Sequence, residues 1–562
     1  MRTHVLTVAL EDYFHADSFR PWIREETWYR FEDRLPKSTQ RALDLLDRCG
    51  TRATFFVGRS TAQSAPDLVR EVANRGHEIA CRGDHRCPPA VLGPARFRQH
   101  AMQCREQLEE VIGRPVLGFR MAGNRLSRDD LWMLEVLAEC GFLYDSSIGP
   151  ALGAKLLRYY YRHRAQLSHR LFQEVPISAL AVFGMEVPIP HSGSLRHLPQ
   201  TWVRNAIDRW DQKHRSDPYV LHFRTWELDP EQPRISAAPM ASRIRHYRNL
   251  NRMPALLEQV LGSYRFSTVA DYLGLELDRP RPSPQAPAGP VLRSSVAPRP
   301  AGLISTQPQR NGAVPPTPVT IVIPCFNESQ SLGYLSNTLH SVATSLRDEY
   351  AFTFLFVDDG STDGTWAVLQ KLFGERSDCR LIQHERNQGL ARTIQTGIRH
   401  ADTPVVCSMD CDCTYDPHEL RRMIPLLTED VDLVTASPYH PAGAVRNVPR
   451  WRLVLSKSLS SLYRLVLRQK LYTYTSCFRV YRREAAVNVS VERGGFFGVT
   501  EMLGRLDLQG RRIVEFPATL EGRMLGRSKM KIAPTIAGHL GLLAQFVALR
   551  LRPVRPPQET TR

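Results

Sequence analysis

Short runs of apolar residues alternate along this chain with longer segments in which apolar residues recur every three or four positions. The short runs predict buried strands, and the three-to-four spacing predicts amphipathic helices. Strands that alternate with helices predict α/β architecture with parallel sheets. The alternation stops between about Leu277 and Val319, where Pro, Ala, Ser, Arg and Gln dominate. Such a stretch buries too little apolar surface to offset its ordering entropy, so it predicts an extended linker.

The linker predicts two α/β domains of similar size. We place the first domain at 1–276, the linker at 277–318, the second domain at 319–551 and a disordered tail at 552–562. A chain of 562 residues is too long for one hydrophobic core, and 42% hydrophobic residues is an ordinary globular composition. No stretch of about 20 residues is uninterruptedly apolar, and acidic residues follow soon after the start, MRTHVLTVALEDYF. Neither a membrane span nor a secretory signal is therefore predicted.

The chain is strongly basic. Its formal net charge of +17 favours polyanionic partners, which are nucleic acid, an anionic membrane surface or phosphorylated substrates. Nucleic acid is not expected, because no recognition helix and no basic stretch interleaved with aromatic residues is found. The eleven cysteines follow no disulfide or zinc-ribbon spacing, which favours a reducing cytosol.

Two aspartates one residue apart, Asp410 and Asp412, follow the apolar run from Pro404 to Met409. Two carboxylates at a strand end can hold Mg²⁺ or Mn²⁺ whose other ligands are substrate phosphates. An isolated pair of this kind is more often a solvated turn. Here two earlier strands also end in polar loops, at Pro324 and at Asp358. Because ligands of doubly wound sheets bind beyond the carboxyl ends of strands, the three ends predict one crevice.

The second half of the chain, from about Thr317 to Leu551, resembles a family-two glycosyltransferase with the Rossmann-like GT-A fold. Within that family it is similar to the dolichyl-phosphate mannose synthase group. The resemblance is carried by IVIPCFNES, FVDDGSTDGT, NQGLARTIQTGI, MDCDCT, SCFRVYRR and GRMLGRSKM. It implies a nucleotide-sugar donor, Mg²⁺ or Mn²⁺, a polyprenyl-phosphate or glycan acceptor, and a role in cell-surface polysaccharide or glycolipid synthesis. No QxxRW motif of processive synthases is present, which favours transfer of a single sugar.

The same resemblance implies roles for individual residues. A glycan hydroxyl acceptor would need a general base, for which Glu501 is the acidic candidate, whereas a lipid phosphate would not. Cys413 and Thr414 stand where a further small acidic or amide ligand is expected. The implied catalytic residues are Asp410, Asp412, Glu501 and Arg479, with the first two as metal ligands; the implied nucleotide-sugar contacts are Pro324, Asn327, Glu328, Asp358, Asp359, Arg523 and Lys529.

Two apolar segments of the second half are also basic. One is WRLVLSKSLSSLYRLVLRQK, within a stretch from Asp432 to Glu484 that has no acidic residue between its ends, and the other is IAPTIAGHLGLLAQFVALRLRPVR. Basic amphipathic helices suit anionic membrane surfaces. The alternative is a helix that packs on the sheet with a solvated basic face. We predict a cytoplasmic protein, peripheral at the inner face of the membrane.

The first half, from about Thr3 to Leu275, resembles the NodB-type polysaccharide deacetylases of exopolysaccharide loci. The resemblance is carried by LTVALEDYFH, ATFFVGRS, RGHEIACRGDHR, GRPVLGFRMAG, FLYDSSIGP, FRTWELDPEQPR and IRHYRNLNRM. It implies a (β/α) barrel variant whose site lies at the carboxyl ends of the strands. Members of the family bind a metal with an acidic residue and two histidines, and a later histidine is the catalytic acid. Glu11 and Asp12 match the acidic pair, but the three histidine positions are Arg82, Arg86 and Arg224.

Arginine at these positions predicts an inactive deacetylase-like domain. A guanidinium stays protonated and has no lone pair, so it cannot ligate zinc. We expect no zinc, and arginines paired with Glu11 and Asp12 in place of the metal charge; Arg120 is assigned to the same degenerate site. A site built from Asp12, His85 and His222 is an alternative. Two alternatives also remain for the whole chain: a bifunctional deacetylase and glycosyltransferase, and a non-enzymatic protein that binds anionic glycans.

Overall fold

The structure is a computed structural model that describes residues 2–83, 89–123, 128–148, 172–182, 185–188, 192–214, 217–276, 315–492, 495, 497–526 and 532–551. The chain forms two compact units. The first unit contains Met1–Pro21, Asp33–Gln232 and Met240–Ala301; the second contains Trp22–Glu32, Pro233–Pro239 and Gly302–Arg562. Most of the predicted linker and the whole predicted tail lie outside the described residues.

The first unit is built on a parallel sheet. Its strands are β1 (Thr3–Ala9), β2 (Thr54–Gly58), β3 (Glu78–Arg82), β4 (Gly118–Arg120), β5 (Tyr144–Asp145), β6 (Gln173–Glu174), the separate antiparallel pair β7 (Ala179–Val182) and β8 (Met185–Pro188), then β9 (Val220–Arg224) and β10 (Arg265–Ser267). The strand order is β10-β1-β2-β3-β4-β5-β6, and β9 also pairs with β1. All of these pairs except β7 with β8 are parallel, as expected for a (β/α) barrel variant.

Helices connect the strands of the first unit because their apolar stripes face the sheet. In the first of them, Leu43 and Leu46 are fully buried among core residues such as Val8 and Phe55. The helices are α1 (Leu35–Arg48), α2 (Arg59–Ser64), α3 (Pro66–Asn74), α4 (Pro89–Ile112, broken at Gly93), α5 (Trp132–Glu139), α6 (Gln200–Lys213), α7 (Met240–Tyr247), α8 (Met253–Ser263) and α9 (Val269–Leu273). Short 3₁₀ helices lie at Tyr13–His15, Arg128–Asp130, Ser192–Ser194, Thr225–Leu228 and Leu250–Arg252.

The second unit is built on a seven-stranded mixed sheet and a separate pair of strands, nine described strands in all. Its strands are β11 (Thr317–Cys325), β12 (Tyr350–Asp358), β13 (Cys379–Gln383), β14 (Val405–Ser408), β15 (Leu433–Ser437), β16 (Ala444–Arg446), β17 (Arg479–Arg482), β18 (Ile513–Pro517) and β19 (Thr519–Glu521). The order is β13-β12-β11-β14-β17-β15-β18, with β17 antiparallel to its neighbours, and β16 pairs with β19. This arrangement confirms the α/β fold predicted for the second half.

The helices of the second unit cover both faces of its sheet. They are α10 (Leu332–Leu346), α11 (Thr365–Phe373), α12 (Leu390–His400), α13 (Leu420–Met423), α14 (Arg450–Val466), α15 (Arg483–Ala486), α16 (Phe497–Leu508) and α17 (Ile532–Leu551), with 3₁₀ helices at Glu25–Arg30, Pro417–Glu419 and Ile424–Leu426. A central parallel strand covered on both faces reads as a continuous apolar run, and β11 is buried from Val319 to Cys325.

Candidate active site

Three adjacent parallel strands of the second unit end at one edge of the sheet. In register, Cys325 of β11 lies opposite Asp358 of β12, and Val322 of β11 lies opposite Ser408 of β14. The polar loops that follow these strands therefore start side by side. The edge carries the Asp410 and Asp412 loop next to the loop after Pro324, as the sequence predicted.

The loops at this edge are fixed by their own side chains. Asn327 adopts the left-handed conformation with φ of 54°, which Asn tolerates better than most residues. Its Oδ1 accepts the backbone N–H of Thr362 at 2.7 Å and so ties the first loop to the second. Asp359 accepts the N–H of Gly389 at 2.8 Å, at the start of α12. These hydrogen bonds link the loops at this edge of the sheet to one another.

A cavity of about 990 Å³ lies in front of this edge. Its volume is at the upper end of the range for small-molecule sites. Two long helices, α14 and α17, supply another part of its wall. The lining residues that belong to the predicted site are Pro324, Glu328, Asp359, Asp410, Asp412 and Arg523.

Arg523 joins two of the loops through ion pairs. Its Nε lies 2.7 Å from Oδ2 of Asp412, and its Nη1 lies 2.8 Å from Oε1 of Glu328. Burial opposes the charge of the guanidinium, but the Asp412 and Glu328 carboxylates raise the pKa of Arg523 above its usual value. The arginine therefore brings a permanent positive charge to the acidic end of the cavity.

Asp410 and Asp412 form an electrostatically unfavourable pair that a cation would relieve. Burial, and next the charge of Asp412, raise the pKa of Asp410 to about 7. Among the described residues, no group of three or more His, Cys, Asp or Glu side chains is arranged to hold a metal ion. Two carboxylates on a cavity wall still fit Mg²⁺ or Mn²⁺, because these ions take one or two carboxylates and complete their shell with water and substrate phosphate.

Two predicted catalytic residues lie elsewhere. Arg479 is fully buried in β17, where its guanidinium donates to the carbonyl oxygens of Val499 at 2.7 Å and Tyr474 at 2.9 Å. Glu501 is fully buried in α16 and pairs with Arg505 at 2.7 Å. Neither is among the described residues that line the cavity. The catalytic roles predicted for Arg479 and Glu501 therefore find no support in their positions: Arg479 donates to backbone carbonyl groups and Glu501 pairs with Arg505 in the core.

Two predicted nucleotide contacts, Asp358 and Asn327, are not among the described residues that line the cavity. Asp358 is fully buried and accepts hydrogen bonds from Ser361 and from Nε2 of Gln383, which fix the loop; its contact with the nucleotide stays a prediction. Asn327 fixes the loop described above. Lys529 lies outside the described residues.

The structure adds cavity residues that sequence reasoning missed. Arg452 of α14 lines the cavity, and its Nε is buried with no hydrogen-bond partner among the described residues. Ser456, one helical turn later, lines the same wall. The sequence showed both within a basic amphipathic segment, but periodicity alone did not show which basic residue turns inward.

Helices α14 and α17 pack against each other in this wall. The hydroxyl of Tyr463 lies 2.8 Å from Nδ1 of His539, and burial lowers the pKa of that histidine to about 4. The segment Ala533–Leu551 is long and apolar enough to cross a membrane, and 22% of it is buried. The prediction of no such segment is therefore corrected by one candidate, although buried core helices meet the same criterion.

In the first unit, Glu11 is held by two arginines at the carboxyl ends of the strands. Nη2 of Arg82 lies 2.5 Å from Oε1 of Glu11, and Nε of Arg224 lies 3.4 Å from Oε2. Burial opposes the charge of Arg224, but Glu11 and then Asp17 raise its pKa above the usual value. The predicted pairing of arginine side chains with Glu11 is thus observed for Arg82 and Arg224.

Asp12 does not take part in this pairing. Its carboxylate accepts the backbone N–H groups of Tyr13 at 2.7 Å, Arg34 at 2.7 Å and Leu35 at 3.0 Å. Burial raises its pKa to about 7. The prediction that arginine side chains pair with Asp12 is wrong for the described residues, because backbone donors already occupy both of its oxygens.

Arg120 packs beside this site without contacting the acidic pair. Its guanidinium lies 4.1 Å from the ring centre of Phe56 and donates to the carbonyl oxygen of Ser146 at 3.0 Å. Burial, and next the charge of Arg82, lower its pKa to about 9. It also lies 3.0 Å from Nδ1 of His222, which disfavours His222 as a zinc ligand. Arg86 and His85 lie outside the described residues.

Comparison with protein-family models matches three parts of the chain. Residues 320–489 match glycosyl transferase family 2, residues 24–144 match polysaccharide deacetylase, and residues 150–274 match a domain of unknown function, DUF3473. These matches confirm the two resemblances drawn from the sequence.

Solved structures with a similar fold include a putative polysaccharide deacetylase from Mycobacterium smegmatis, at 19% identity and a TM-score of 0.30 over 50% of this chain and 96% of that one. A glucosyl-3-phosphoglycerate synthase from Mycobacterium tuberculosis, crystallised with Mn²⁺, uridine diphosphate and phosphoglyceric acid, has 19% identity and a TM-score of 0.31 over 42% of this chain and 80% of that one.

Two curated relatives have a higher sequence identity to this chain than these solved structures have. The undecaprenyl-phosphate mannosyltransferase of Micrococcus luteus is 29% identical over 245 residues, which are 42% of this chain and 98% of the relative. The polyprenol monophosphomannose synthase of Mycolicibacterium smegmatis is 33% identical over 226 residues, which are 39% of this chain and 83% of the relative. The chain therefore belongs to the family 2 glycosyltransferases and carries a polysaccharide deacetylase domain ahead of its transferase domain.

Proposed function

We propose that the second unit transfers one sugar from a nucleotide-sugar donor to a polyprenyl phosphate at the cytoplasmic face of a membrane. The observation that carries the proposal is a single cavity with the Asp410 and Asp412 carboxylates on one wall and Arg452 on another. The first wall suits a donor diphosphate and the second an acceptor phosphate. The names of the two curated relatives support a lipid-phosphate acceptor and mannose as the sugar.

The donor half of the cavity combines carboxylates with a guanidinium. Asp410 and Asp412 would hold Mg²⁺ or Mn²⁺, which supplies positive charge for the leaving diphosphate. Arg523 lies beside Asp412 and can donate to phosphate oxygens through its N–H groups. Glu328 and Asp359 border the remaining space, where the nucleoside would lie.

The acceptor half needs a cation but no general base. A phosphate monoester is already anionic, so its oxygen attacks without losing a proton to the protein. This fits the observation that Glu501 is buried and paired with Arg505. The unpartnered Nε of Arg452 instead offers a donor to an anion that enters the cavity.

Acceptor recognition is tested by assaying the full-length protein with a panel of nucleotide sugars and Mn²⁺. Nucleoside diphosphate release should require a polyprenyl phosphate, and the free polyprenol should support about 100-fold less because it has neither the charge nor the nucleophilic oxygen. A second test concerns Arg452. Arg452→Met should raise the acceptor KM about tenfold and leave the donor KM within about twofold, since one charge-assisted hydrogen bond is lost. The matched control is Arg450→Met, because Arg450 is a neighbouring arginine that is exposed. Equal transfer to an uncharged glycan would contradict the proposal.

Exposed apolar side chains support a membrane-surface location. Trp451, Val454, Leu462 and Leu465 are exposed, and their spacing places them on one face of α14. Leu540, Val547 and Leu551 share a face of α17 in the same way. Monomeric soluble proteins rarely expose such stripes. Basic residues on the same helices, among them Lys457, Arg464 and Arg550, favour an anionic surface.

Binding to vesicles should depend on this apolar face. Leu465→Glu is expected to weaken binding to vesicles of equal phosphatidylglycerol and phosphatidylcholine about tenfold, because it removes apolar burial and adds repulsion from the lipid charge. Val91→Glu is the matched control, since Val91 is 74% exposed and Leu465 is 75% exposed. Co-sedimentation measures both variants. Equal binding of Leu465→Glu and the unaltered protein would reject the assigned face.

For the first unit, we propose a protein domain without deacetylase activity and without zinc. The support is the ion pair between Arg82 and Glu11 together with the backbone donors on Asp12. A zinc ion would have to displace these donors and would find arginine where its nitrogen ligands are needed. No observation among the described residues favours the bifunctional alternative or the non-enzymatic glycan-binding alternative over this one.

A further inference from the structure

Two segments that come early in the sequence, Trp22–Glu32 and Pro233–Pro239, are part of the second unit. Trp22–Glu32 overlaps the stretch that matches the polysaccharide deacetylase model, and Pro233–Pro239 lies within the stretch that matches DUF3473. We propose that these two segments position the loops that carry Arg523 and Asp412, and so set the affinity of the transferase for its donor. The inference rests on the donor site proposed above.

The segment Pro233–Pro239 is hydrogen bonded to the backbone next to Arg523. Ile235 forms an antiparallel bridge with Leu525, and the N–H of Ser236 donates to the carbonyl oxygen of Met524 at 2.7 Å. The hydroxyl of Ser236 donates to the same oxygen at 3.1 Å. Ile235 is fully buried, so the bridge is packed as well as hydrogen bonded.

This bridge acts where the transferase unit has little regular structure of its own. Strand β19 ends at Glu521, two residues before Arg523, and it pairs only over three residues with β16. The N–H of Gly522 donates to the carbonyl oxygen of Arg446 at 2.9 Å, and the next anchor along the chain is the bridge to Ser236. Ser236 also lines the cavity. The arginine that binds Asp412 therefore lies between two short backbone anchors, one of which comes from the early segment.

The segment Trp22–Glu32 is attached to the same two loops by ion pairs. Arg30 is almost fully buried and lies 2.7 Å from Asp416, which follows Asp412 by four residues. Burial opposes ionisation of Asp416, but hydrogen bonding to His418 and the charge of Arg30 lower its pKa below the usual range. Arg24 lies 2.7 Å from Glu521, two residues before Arg523.

Together, the two early segments restrain both loops that carry Arg523 and Asp412. Arg30 restrains the loop after Asp412, and Ser236 with Arg24 restrains the loop on each side of Arg523. The ion pair between Arg523 Nε and Asp412 Oδ2, at 2.7 Å, links the two restrained loops to each other. A site held in its binding geometry before the ligand arrives loses less ordering entropy on binding, so these restraints favour donor affinity. Ser236, Arg24 and Arg30 are positioning residues, since they act through Arg523 and Asp412.

The test compares Ser236→Pro with Ser236→Ala in the full-length chain. Proline removes the N–H that donates to Met524, whereas alanine keeps it and removes only the hydroxyl. Nucleotide-sugar affinity in the presence of Mn²⁺ is measured by titration calorimetry. Ser236→Pro should weaken donor binding about tenfold, and Ser236→Ala should change it by less than about threefold, as expected for one weaker hydrogen bond. Hydrogen exchange over residues 519–526 should rise in the proline variant alone.

A second pair of variants covers the case in which Ser236→Pro does not fold. Arg30→Met should weaken donor binding, and Arg30→Lys, which keeps the charge opposite Asp416, should recover part of the loss. Donor binding by Ser236→Pro equal to that of the unaltered protein, with unchanged hydrogen exchange, overturns the inference. If the unaltered protein binds no nucleotide sugar, the proposed function fails instead. The claim about donor affinity then fails with it, and unchanged hydrogen exchange of residues 519–526 in Ser236→Pro would still overturn the positioning role.

Discussion

Replacing Asp412 with alanine is expected to lower kcat/KM for sugar transfer by at least about 10³-fold, as the loss of a central transition-state charge contact does in other enzymes. The carboxylate of Asp412 would hold the cation together with Asp410, and it also binds Arg523 at 2.7 Å. Its removal therefore frees both positive groups from the place where the diphosphate charge develops. Asp412→Asn should lose nearly as much activity, because an amide keeps the shape but not the charge.

Asp402→Ala is the matched control for this experiment. Its side chain is 83% exposed and pairs with Arg380 on the surface of the same unit. We expect kcat/KM within about twofold of the unaltered value, since exposed ion pairs contribute little. Mn²⁺ binding, followed by titration calorimetry without donor, should weaken in Asp412→Ala and stay unchanged in Asp402→Ala. Nucleotide release at the normal rate by Asp412→Ala would reject the assigned site.

Replacing Glu11 with glutamine is expected to lower the free energy of unfolding of the first unit by about 3 kcal/mol, the usual cost of breaking a buried ion pair. The change leaves Arg82 buried with a positive charge and no carboxylate opposite it, and it weakens the pairing of Arg224. Glu258→Gln is the matched control. Its partner is Arg48 on the surface, and the expected loss is below about 1 kcal/mol. Differential scanning calorimetry of the full-length chain resolves the transition of the first unit.

Treatment with a zinc chelator distinguishes a site whose charge is balanced by arginine from a site that holds a metal. In the unaltered chain a zinc chelator should leave the Tm of the first unit unchanged, because charge balance at Glu11 comes from Arg82 rather than from a metal. A metal-dependent deacetylase would lose stability and activity under the same treatment. Stoichiometric zinc together with acetate release from an N-acetylated oligosaccharide would defeat the proposal of an inactive domain.

The two arginines Arg479 and Arg523 show where sequence reasoning stops. Both lie in basic motifs of the transferase half, and both were assigned to the site, Arg479 as a catalytic residue and Arg523 as a nucleotide-sugar contact. Arg479 is fully buried in β17 and donates to backbone carbonyl groups, whereas Arg523 lines the cavity and binds Asp412. Strand periodicity gives the direction of a side chain relative to its own sheet. It does not show whether another element covers that face.

The predicted acidic site residues also differ in whether strand topology or side-chain packing decides their surroundings. Asp410 and Asp412 follow the carboxyl end of a central parallel strand, and that position alone brings them to the ligand-binding edge of the sheet. Glu501 lies on a helix, where its surroundings depend on which neighbours pack against α16, and it is paired with Arg505. Topology alone therefore places the strand-end pair at the sheet edge, whereas packing decides the surroundings of the helical Glu501.

The sequence by itself determined the α/β architecture of both halves, the family of each, the carboxylate pair after β14 and the arginines at the positions where the resemblance implies zinc ligands. These features follow from local periodicity and from residue chemistry that no environment changes, such as the missing lone pair of a guanidinium. Only the tertiary structure decided that Asp12 is held by backbone donors, that Arg452 turns into the cavity and that Arg30 and Ser236 brace the donor site. Each of these depends on contacts between residues far apart in the chain, and burial and pairing arise only when the chain is folded.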